Sequence, residues 1–418
     1  MVYYYTYQGK KYASLESLAL LACGEPREGE DVTFLINHPP EHRRAGFLVT
    51  DPRQLTAKND GVEWLDSRRI DAPVPDLPKG IARRLRSGEL QAVNFRHPRW
   101  EQAANRTEKR QRQRNRRRVH LLAVGDVGGT LLTALKLLGG DCIGTIGICD
   151  LNENTVARWV SEMSQISWPW DYEALPKVEA VQPGRLFDSD VFLFAAAKAI
   201  PPVGSQVQDV RMAQFAANRP LVESFARQAR EARFDGLFAV LSDPVDPLCK
   251  AAYLASNCGP NGQWDGMGLL AEQVQGYGLG VMNARAAALA QSDLRFLPFL
   301  SDGRSFGPHG EGLVIANSLK KYDDEISREL TELVKTANLR IRDLGFKPFV
   351  APAVSSGAMQ LLLTLRGQWH CGSVCLGGVW FGVRNRLTSK GLETESVDLP
   401  DELFSRLKET EATLKAIL

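Results

Sequence analysis

The sequence predicts an α/β protein, in which a doubly wound parallel sheet is followed by an α+β domain and preceded by a small N-terminal domain. From Val119 onward, apolar strand segments alternate with glycine-rich turns and helical segments, which is the pattern of a parallel sheet with crossover helices. The chain of 418 residues is also too long for one ordinary domain. Two or three hydrophobic cores are therefore expected.

Composition excludes several classes of protein. With 44% hydrophobic and 24% charged residues, and no apolar run near the roughly 20 residues of a membrane span, the chain is expected to be soluble. The apolar patch Leu18–Cys23 follows the acidic Glu16 and is short for a signal-peptide core, so export is not expected. Seven scattered cysteines without CxxC spacing predict neither a disulfide framework nor a metal site, and they favour a reducing cytoplasm.

The first 118 residues divide into two parts. Residues 1–95 mix short aromatic and apolar runs with Pro and Gly and predict a small domain of unidentified fold. Residues 96–118 form an arginine-rich linker or helix, in which Arg106–Arg118 holds seven arginines and one lysine against one glutamate. Such a run is either a solvated segment or a surface for an anionic partner, namely RNA, cofactor phosphates or a neighbouring subunit. The net charge of +2 and the lack of RNP or zinc-finger patterns make nucleic acid the weaker option.

Residues 119–258 predict a dinucleotide-binding domain of Rossmann type. The segment VHLLAVGDVGG runs from a buried strand into a turn that carries part of the G-x-G-x-x-G pattern, with Ala123 at the first glycine position. Gly125, Val127 and Gly128 are therefore expected to contact the cofactor, although a plain tight strand-to-helix turn would have the same pattern.

The cofactor predicted for this turn is NAD. Asp150 closes the next strand roughly 20 residues after Gly128, where an acidic side chain can accept hydrogen bonds from both hydroxyls of the adenosine ribose and would repel a 2′-phosphate. The alternative for Asp150 is a helix N-cap. Ala197 ends the strand segment SDVFLFAAA and is also expected at the cofactor, because ligands bind at the carboxyl ends of such strands.

Residues 119–418, about 300 of 418, resemble the lactate and malate dehydrogenase family. The matching segments occur in the family's order: LFAVLSDPVDPLCKAA, VQGYGLGVMNARAAALA, SFGPHGEGLV and the C-terminal stretch from Cys375. The resemblance implies that residues 259–418 form the α+β catalytic domain. It also implies NAD-dependent hydride transfer to or from a 2-oxo/2-hydroxy (or 2-imino/2-amino) carboxylate, and a homodimer or homotetramer.

The same resemblance assigns roles to four residues. His309 would be the catalytic acid/base, Arg285 would clamp the substrate carboxylate, and Arg211 would polarise the reacting carbonyl from the mobile loop segment at 197–222. Asn218, seven residues after Arg211, would bind substrate. Alternatively, His309 has a structural role and Arg285 is a plain arginine on a helix surface.

Two positions depart from the family pattern. Met282 stands where the family has the aspartate that orients and charges the catalytic histidine, and a thioether offers no negative charge to an imidazolium. Asp243 stands where the family has an asparagine. Asp243 is a predicted catalytic residue that could pair with His309 or bind a cationic group on the substrate, which motivates the imine variant; alternatively, both changes are drift.

Substrate size is also expected to differ. Lys347 lies where the family's substrate-selecting residue tends to sit, so it either binds a second anionic group or is solvated. About nine extra residues lengthen the connection within 256–272. Cys371 and Cys375, beside His370, are interpreted as core thiols and not as metal ligands.

These features favour an NAD-dependent oxidoreductase acting on a small carboxylate, with no membrane association. Met282 and the imperfect glycine pattern favour an alternative, a non-catalytic dinucleotide-sensing or regulatory protein. A third possibility is an RNA-associated protein that uses the arginine run.

Overall fold

The computed structural model describes residues 1–27, 29–112, 116–198 and 210–418, and the side chains of residues 107–112 and 210 are outside that description. Residues 113–115 of the arginine-rich run at 106–118 and residues 199–209 of the loop segment lie outside the described residues. The interpretations of both segments stay predictions.

The N-terminal domain is built, among the described residues, from strands β1 (Tyr3–Tyr7), β2 (Lys10–Ser14), β3 (Leu21–Ala22), β4 (Val32–Ile36), β5 (Gly46–Leu48) and β6 (Gln91–Asn94), and helices α1 (Lys79–Arg86) and α2 (Trp100–Arg112). The sheet order is β3-β1-β2-β4-β6-β5, with β2, β4 and β6 parallel in its middle. Phe34 and Ala92 lie side by side on the parallel strands and are fully buried with Trp64 in one apolar core. This domain therefore has a hydrophobic core of its own.

The central domain alternates strands and helices along the chain. Its elements are β7 (Arg117–Leu122), α3 (Asp126–Leu138), β8 (Ile143–Cys149), α4 (Glu153–Ser164), β9 (Lys177–Ala180), β10 (Val191–Phe194), α5 (Val210–Glu231), β11 (Leu237–Val240), α6 (Val245–Ser256) and β12 (Val274–Gly276). All neighbouring strands pair in parallel in the order β9-β8-β7-β10-β11-β12. This is the strand order of a doubly wound dinucleotide-binding sheet, so the predicted fold class is confirmed.

Both faces of this parallel sheet are buried. On β10, Phe192 and Phe194 pack into the core formed with α5 and α6, whereas Val191 and Leu193 pack into the core formed with α3 and α4. A strand that is covered on both faces needs apolar residues at every position, which explains the continuous run VFLF.

The remaining described residues complete the α+β part. They form α7 (Leu279–Ser292), α8 (Phe299–Asp302), β13 (Arg304–Phe306), β14 (Val314–Ala316), α9 (Asp324–Thr336), α10 (Leu339–Asp343), a π-helix (Pro352–Ala358), α11 (Met359–Leu365), β15 (His370–Leu376), β16 (Val379–Thr388), β17 (Gly391–Thr394) and α12 (Asp401–Lys415). Strand β15 pairs antiparallel with β12, and β16 and β17 extend the sheet to nine strands within the described residues. The parallel sheet thus continues past the predicted boundary at residue 258, because its sixth strand ends at Gly276.

The N-terminal domain docks directly on the α+β part. Backbone and side-chain hydrogen bonds cross the junction, from Ala45 N to Glu272 Oε2 (3.0 Å), from Gly377 N to Asp60 O (3.0 Å) and from Val397 N to Leu65 O (2.8 Å). The lengthened connection at 256–272 faces the same domain, because Trp264 packs edge-on against His97. The extra residues therefore serve domain docking.

None of the helices among the described residues is both long and apolar enough to cross a lipid bilayer.

Candidate active site

The turn between β7 and α3 brings the helix N-terminus close to the end of its strand. A Cβ atom on Gly128 would overlap the carbonyl oxygen of Ala123, so only glycine allows this approach. Gly125, in contrast, has open space where a Cβ would lie. Ala123 takes the left-handed conformation (φ 73°), which costs an alanine roughly 1–2 kcal/mol relative to glycine. The turn leaves backbone N–H groups of the first helical turn open to a ligand.

Asp150 lies directly after β8, beside this turn. Its Oδ2 accepts a hydrogen bond from Val124 N (2.9 Å), and its Oδ1 accepts one from Asn152 N (3.1 Å). The alternative interpretation of Asp150 as a helix N-cap is wrong, because the side chain of Asn152 caps α4 by accepting from Asn154 N and Thr155 N. Each carboxylate oxygen can accept a second hydrogen bond, so Asp150 can still receive ribose hydroxyls.

Lys347 also lies at the glycine turn. Its Nζ is 3.1 Å from Oδ2 of Asp126, the second residue of the turn, and its side chain is 82% exposed. Lys347 is therefore adjacent to the place expected for cofactor phosphates, and it is not among the described residues that line the cleft at His309.

A cleft of about 650 Å³, including its open mouth, lies between the glycine turn and the α+β part. Val127, Ala197, Asn218, Asp243 and His309, all predicted site residues, contribute to its wall. The wall follows the carboxyl ends of the parallel strands, where open α/β sheets bind ligands.

His309 and Asp243 form a hydrogen-bonded pair in this cleft. Nδ1 of His309 is 3.0 Å from Oδ1 of Asp243, and the two side chains are 13% and 48% exposed. Burial acts to raise the pKa of Asp243, but the nearby His309, Arg211 and Arg285 outweigh it and lower that pKa. An ionised Asp243 requires the proton on Nδ1 of a neutral His309, which leaves Nε2 as a proton acceptor. Among the described residues, Nε2 has no hydrogen-bond partner.

Two arginines approach the pair from different elements. Arg211, in the first turn of α5, donates a hydrogen bond to the carbonyl oxygen of His309, and a Cβ on Gly310 would overlap its guanidinium group. Arg285, on α7, donates to Val334 O at 3.3 Å and lies 3.7 Å from the sulfur of Met282. Burial lowers the pKa of Arg285, and the charge of Asp243 opposes that change. The charges of both predicted arginines therefore act on Asp243, although neither is among the described residues that line the cleft.

Asn218 connects two backbone segments beside the cleft. Its amide nitrogen donates to Asp243 O (2.8 Å), and its amide oxygen accepts from Lys198 N (2.8 Å). The side chain is only 2% exposed. The amide of Asn218 therefore fixes the Asp243 backbone, and substrate binding by Asn218 stays a prediction.

No protein-family model matches the chain. L-lactate dehydrogenase 1 of Staphylococcus aureus is 25% identical over 194 residues, which are 46% of this chain and 55% of that protein. The chain spans about half the length of the curated relatives that it matches.

Solved structures cover more of the chain. The malate dehydrogenase of Picrophilus torridus in its apo form covers 72% of the chain with 96% of its own length, at 16% identity and a TM-score of 0.57. The minor L-lactate dehydrogenase of Enterococcus mundtii (TM-score 0.57) and the malate dehydrogenase of Archaeoglobus fulgidus in complex with NADH (TM-score 0.56) each cover 72% of the chain and 97% of their own length, at 18% identity. Identities this low show the fold. The chain has the fold of these lactate and malate dehydrogenases.

Sequence reasoning missed the cleft-lining polar residues Gln214, Ser242, Tyr277 and Ser356 and, behind the His309 loop, Asp246. Asp246 begins α6, is 2% exposed, and accepts hydrogen bonds from His309 N (3.3 Å) and from the Ser373 hydroxyl. Burial raises its pKa to about 6, although the hydrogen bonds from Ser373 and from the His309 backbone oppose that rise. The signal was present in the sequence, since Asp246 is the lone charged residue in the helix start VDPLC.

All seven cysteines lie in the described residues and are free thiols. Within the same residues, no group of three or more His, Cys, Asp or Glu side chains could hold a metal ion. Cys375 is buried in the core, as interpreted from the sequence.

Proposed function

We propose that the chain is an NAD-dependent oxidoreductase that transfers a hydride to or from a 2-oxo/2-hydroxy carboxylate, or the corresponding 2-imino/2-amino carboxylate. The observation that carries this proposal is the 3.0 Å pair of His309 Nδ1 and Asp243 Oδ1, which lies in a cleft at the carboxyl ends of the parallel strands, where the charges of Arg211 and Arg285 act on Asp243. Such a cleft combines a proton-exchanging group with cations for an anionic substrate.

The residues at the glycine turn fit a dinucleotide. Gly128 allows α3 to approach the strand, Gly125 leaves space above the turn, and Asp150 has free acceptor capacity for ribose hydroxyls. Val127 and Ala197 would line the cofactor side of the cleft. When bound, NAD supplies the hydride acceptor or donor.

The chain's own side chains would handle the proton and the charges. Nε2 of His309 takes a proton from a substrate hydroxyl during oxidation, or gives one to the carbonyl oxygen during reduction, while Asp243 stabilises the imidazolium. The planar guanidinium of Arg285 clamps the substrate carboxylate. Arg211 polarises the reacting group. Asn218 holds Asp243 in place through a hydrogen bond to the Asp243 backbone carbonyl.

The position of Asp243 supports the imine variant. Its carboxylate is 48% exposed toward the cleft, and a negative charge beside the reacting carbon favours an iminium or amine over a neutral carbonyl. Oxaloacetate and pyruvate should be tested with NADH, with and without ammonium. Faster turnover of the plain 2-oxo acids would exclude the imine variant.

The direct test of the proposal combines cofactor binding with turnover. NADH fluorescence titration should show saturable binding by the wild type and by His309→Asn, because the histidine lies outside the glycine turn. Oxidation of NADH with a panel of 2-oxo acids should occur only with the wild type. Equal turnover by His309→Asn would contradict the proposed role.

A dinucleotide sensor is the second candidate, favoured by Met282 at the family's aspartate position and by the extensive docking of the N-terminal domain. Binding of NADH without turnover of any 2-oxo acid would support it. If His309→Asn leaves the biological output intact while Gly128→Trp abolishes it, the sensor is favoured. The opposite result favours catalysis.

We also infer a homodimer or homotetramer from the likeness to dehydrogenases, which light scattering on the purified protein would measure.

A further inference from the structure

The loop that carries His309 has a backbone with unusual conformational freedom. Gly307, Gly310 and Gly312 flank the histidine, and all three take positive φ angles of 83°, 140° and 82°. Glycine loses more conformational freedom on folding than any other residue, so the loop does not hold a single conformation by its own preferences. The orientation of the His309 ring must therefore come from contacts with other elements.

Asp246 supplies such a contact from beneath the loop. Its Oδ2 accepts a hydrogen bond from the backbone N–H of His309 (3.3 Å), and its Oδ1 accepts one from the hydroxyl of Ser373 on β15. Asp246 and Ser373 are both buried, with exposed fractions of 2% and 1%. Since β15 pairs with β12 at Ser373 and Gly276, this carboxylate connects the histidine loop to the central sheet.

We propose that Asp246 and Ser373 are positioning residues, which hold the His309 backbone so that the ring meets Asp243. The inference rests on the proposed function for its kinetic consequences, but the geometric claim concerns the protein alone. Asp243 and Asp246 belong to one short segment at the start of α6, so one segment contacts the histidine at two points, its ring and its backbone.

The absence of a carboxylate at Met282 makes this second point necessary. In the family pattern an aspartate at that position orients the ring, whereas Met282 contacts Arg285 here and offers no acceptor to Nδ1. Asp243 is 48% exposed and can follow the ring if the loop moves. Asp246 is buried and bonded to Ser373 on β15, so it cannot move with the loop and instead determines the position of the loop.

The cost of burying Asp246 supports a specific role. A carboxylate removed from water is stabilised only by hydrogen-bond donors or cations, and an apolar residue of similar size would avoid this penalty. The charged and titratable groups that face Asp246 are His309 from the loop above and Cys249 from its own helix. The hydrogen bond to His309 is thus its main link to the cleft.

The test uses the full chain with ¹⁵N-labelled histidine, in which His309→Asn assigns the ring signals of His309 among the six histidines. In Asp246→Ala and Ser373→Ala, these signals should broaden or move toward the average of the two tautomers. The kcat of each variant should fall roughly tenfold to a hundredfold, with the Kd for NADH unchanged. Asp246→Asn should restore most of both readouts, because its amide oxygen still accepts the His309 N–H.

Ser14→Ala is the matched control. Ser14 is 1% exposed and its hydroxyl donates to Leu35 O (2.9 Å) in the N-terminal domain, far along the chain from the histidine loop. It should lower Tm as Ser373→Ala does, without changing the His309 signals. If Ser373→Ala lowers Tm but leaves the His309 ring signals unchanged, as the control does, the positioning proposal is overturned.

Should Asp246→Ala fail to fold, the ring signals of Ser373→Ala decide between the two outcomes. If no 2-oxo acid is turned over, the ring signals still decide, so failure of the proposed function is distinguishable.

Discussion

At the scale of single residues, the decisive feature is the position of the carboxylate that faces His309. Asp243, at the strand end that precedes α6, contacts Nδ1 of the ring. Met282, where the sequence resemblance implies an aspartate, contacts Arg285 instead. An imidazolium formed during turnover is stabilised by the negative charge of Asp243 in a partly enclosed cleft.

Replacement of Asp243 by Asn should therefore reduce kcat on the order of a hundredfold, because an amide cannot stabilise the imidazolium. Steady-state kinetics with the best 2-oxo acid would measure the loss. Asp293→Asn, on the surface in an ion pair with Arg295, is the control and should keep wild-type kcat. The double variant Asp243→Asn/Met282→Asp should regain part of the activity, since it supplies the carboxylate that the resemblance implies at position 282. Full activity in Asp243→Asn would contradict the proposal that Asp243 stabilises the imidazolium of His309.

Asp246 predicts a pH dependence of stability. Burial raises its pKa in the folded state to about 6, above the unfolded value near 4, so the folded state prefers the protonated form. This group's contribution to the free energy of unfolding is fully present below pH 4 and is lost as pH rises through about 6. Asp246→Asn should thus gain stability relative to the wild type between pH 4.5 and 7. Urea unfolding at both pH values checks this; an unchanged difference would contradict the raised pKa.

At the scale of elements, the two glycines of the β7–α3 turn, Gly125 and Gly128, are needed for different reasons, although a sequence pattern treats them alike. Gly128 is needed for packing, because a Cβ there would overlap the Ala123 carbonyl oxygen. Gly125 has no neighbouring atom where a Cβ would lie, and its φ of −71° suits any residue. Its role is to leave space above the turn.

Gly128→Ala and Gly125→Ala are therefore a matched pair. Gly128→Ala should lower Tm by several degrees, because strand and helix must separate, and should also weaken NADH binding. Gly125→Ala should keep the wild-type Tm and raise only the Kd for NADH. Thermal unfolding and NADH fluorescence titration measure the two effects. An equal loss of Tm in both variants would show that the turn does not distinguish the two positions.

At the scale of the whole molecule, buried polar groups tie the N-terminal domain to the C-terminal segment. Asp66 is fully buried and accepts hydrogen bonds from Leu399 N (3.0 Å) and from Arg68. Burial by itself would raise the pKa of Asp66, but the guanidinium group of Arg68 and the backbone N–H groups of Leu399 and Arg68 lower it to about 2. The junction is therefore a rigid part of the fold.

Asp66→Asn should destabilise the protein by about 2 kcal/mol at pH 7, because it removes the ionised form that these donors stabilise. A lowered pKa contributes stability above the unfolded value near 4 and loses it as pH falls through about 2, so the difference from wild type should shrink at pH 3. Guanidinium unfolding at both pH values measures it. The exposed Asp71→Asn is the control and should leave the free energy of unfolding unchanged.

Local patterns were enough to predict the doubly wound sheet, since the apolar strand segments and the glycine turn depend on neighbours close in the chain. They also identified Asp150 and His309, whose chemistry is visible from residue type and motif. The docking of residues 1–95 and the role of the connection at 256–272 were not predictable, because both depend on surfaces that fold separately. The position of Lys347 was not predictable for the same reason, because the packing of the α+β part on the central domain brings Lys347 to Asp126.

The sequence alone determined which groups are present: a histidine between glycines, two arginines, an aspartate in place of an asparagine and a methionine in place of an aspartate. It left two partners open for Asp243, the histidine or a substrate cation. The tertiary structure places Asp243 against His309, which is 66 residues away in the chain, and leaves the substrate cation as a proposal. The physical reason is that a hydrogen bond depends on a few tenths of an ångström, and only the packing of α6 and β15 beneath the histidine loop sets that distance.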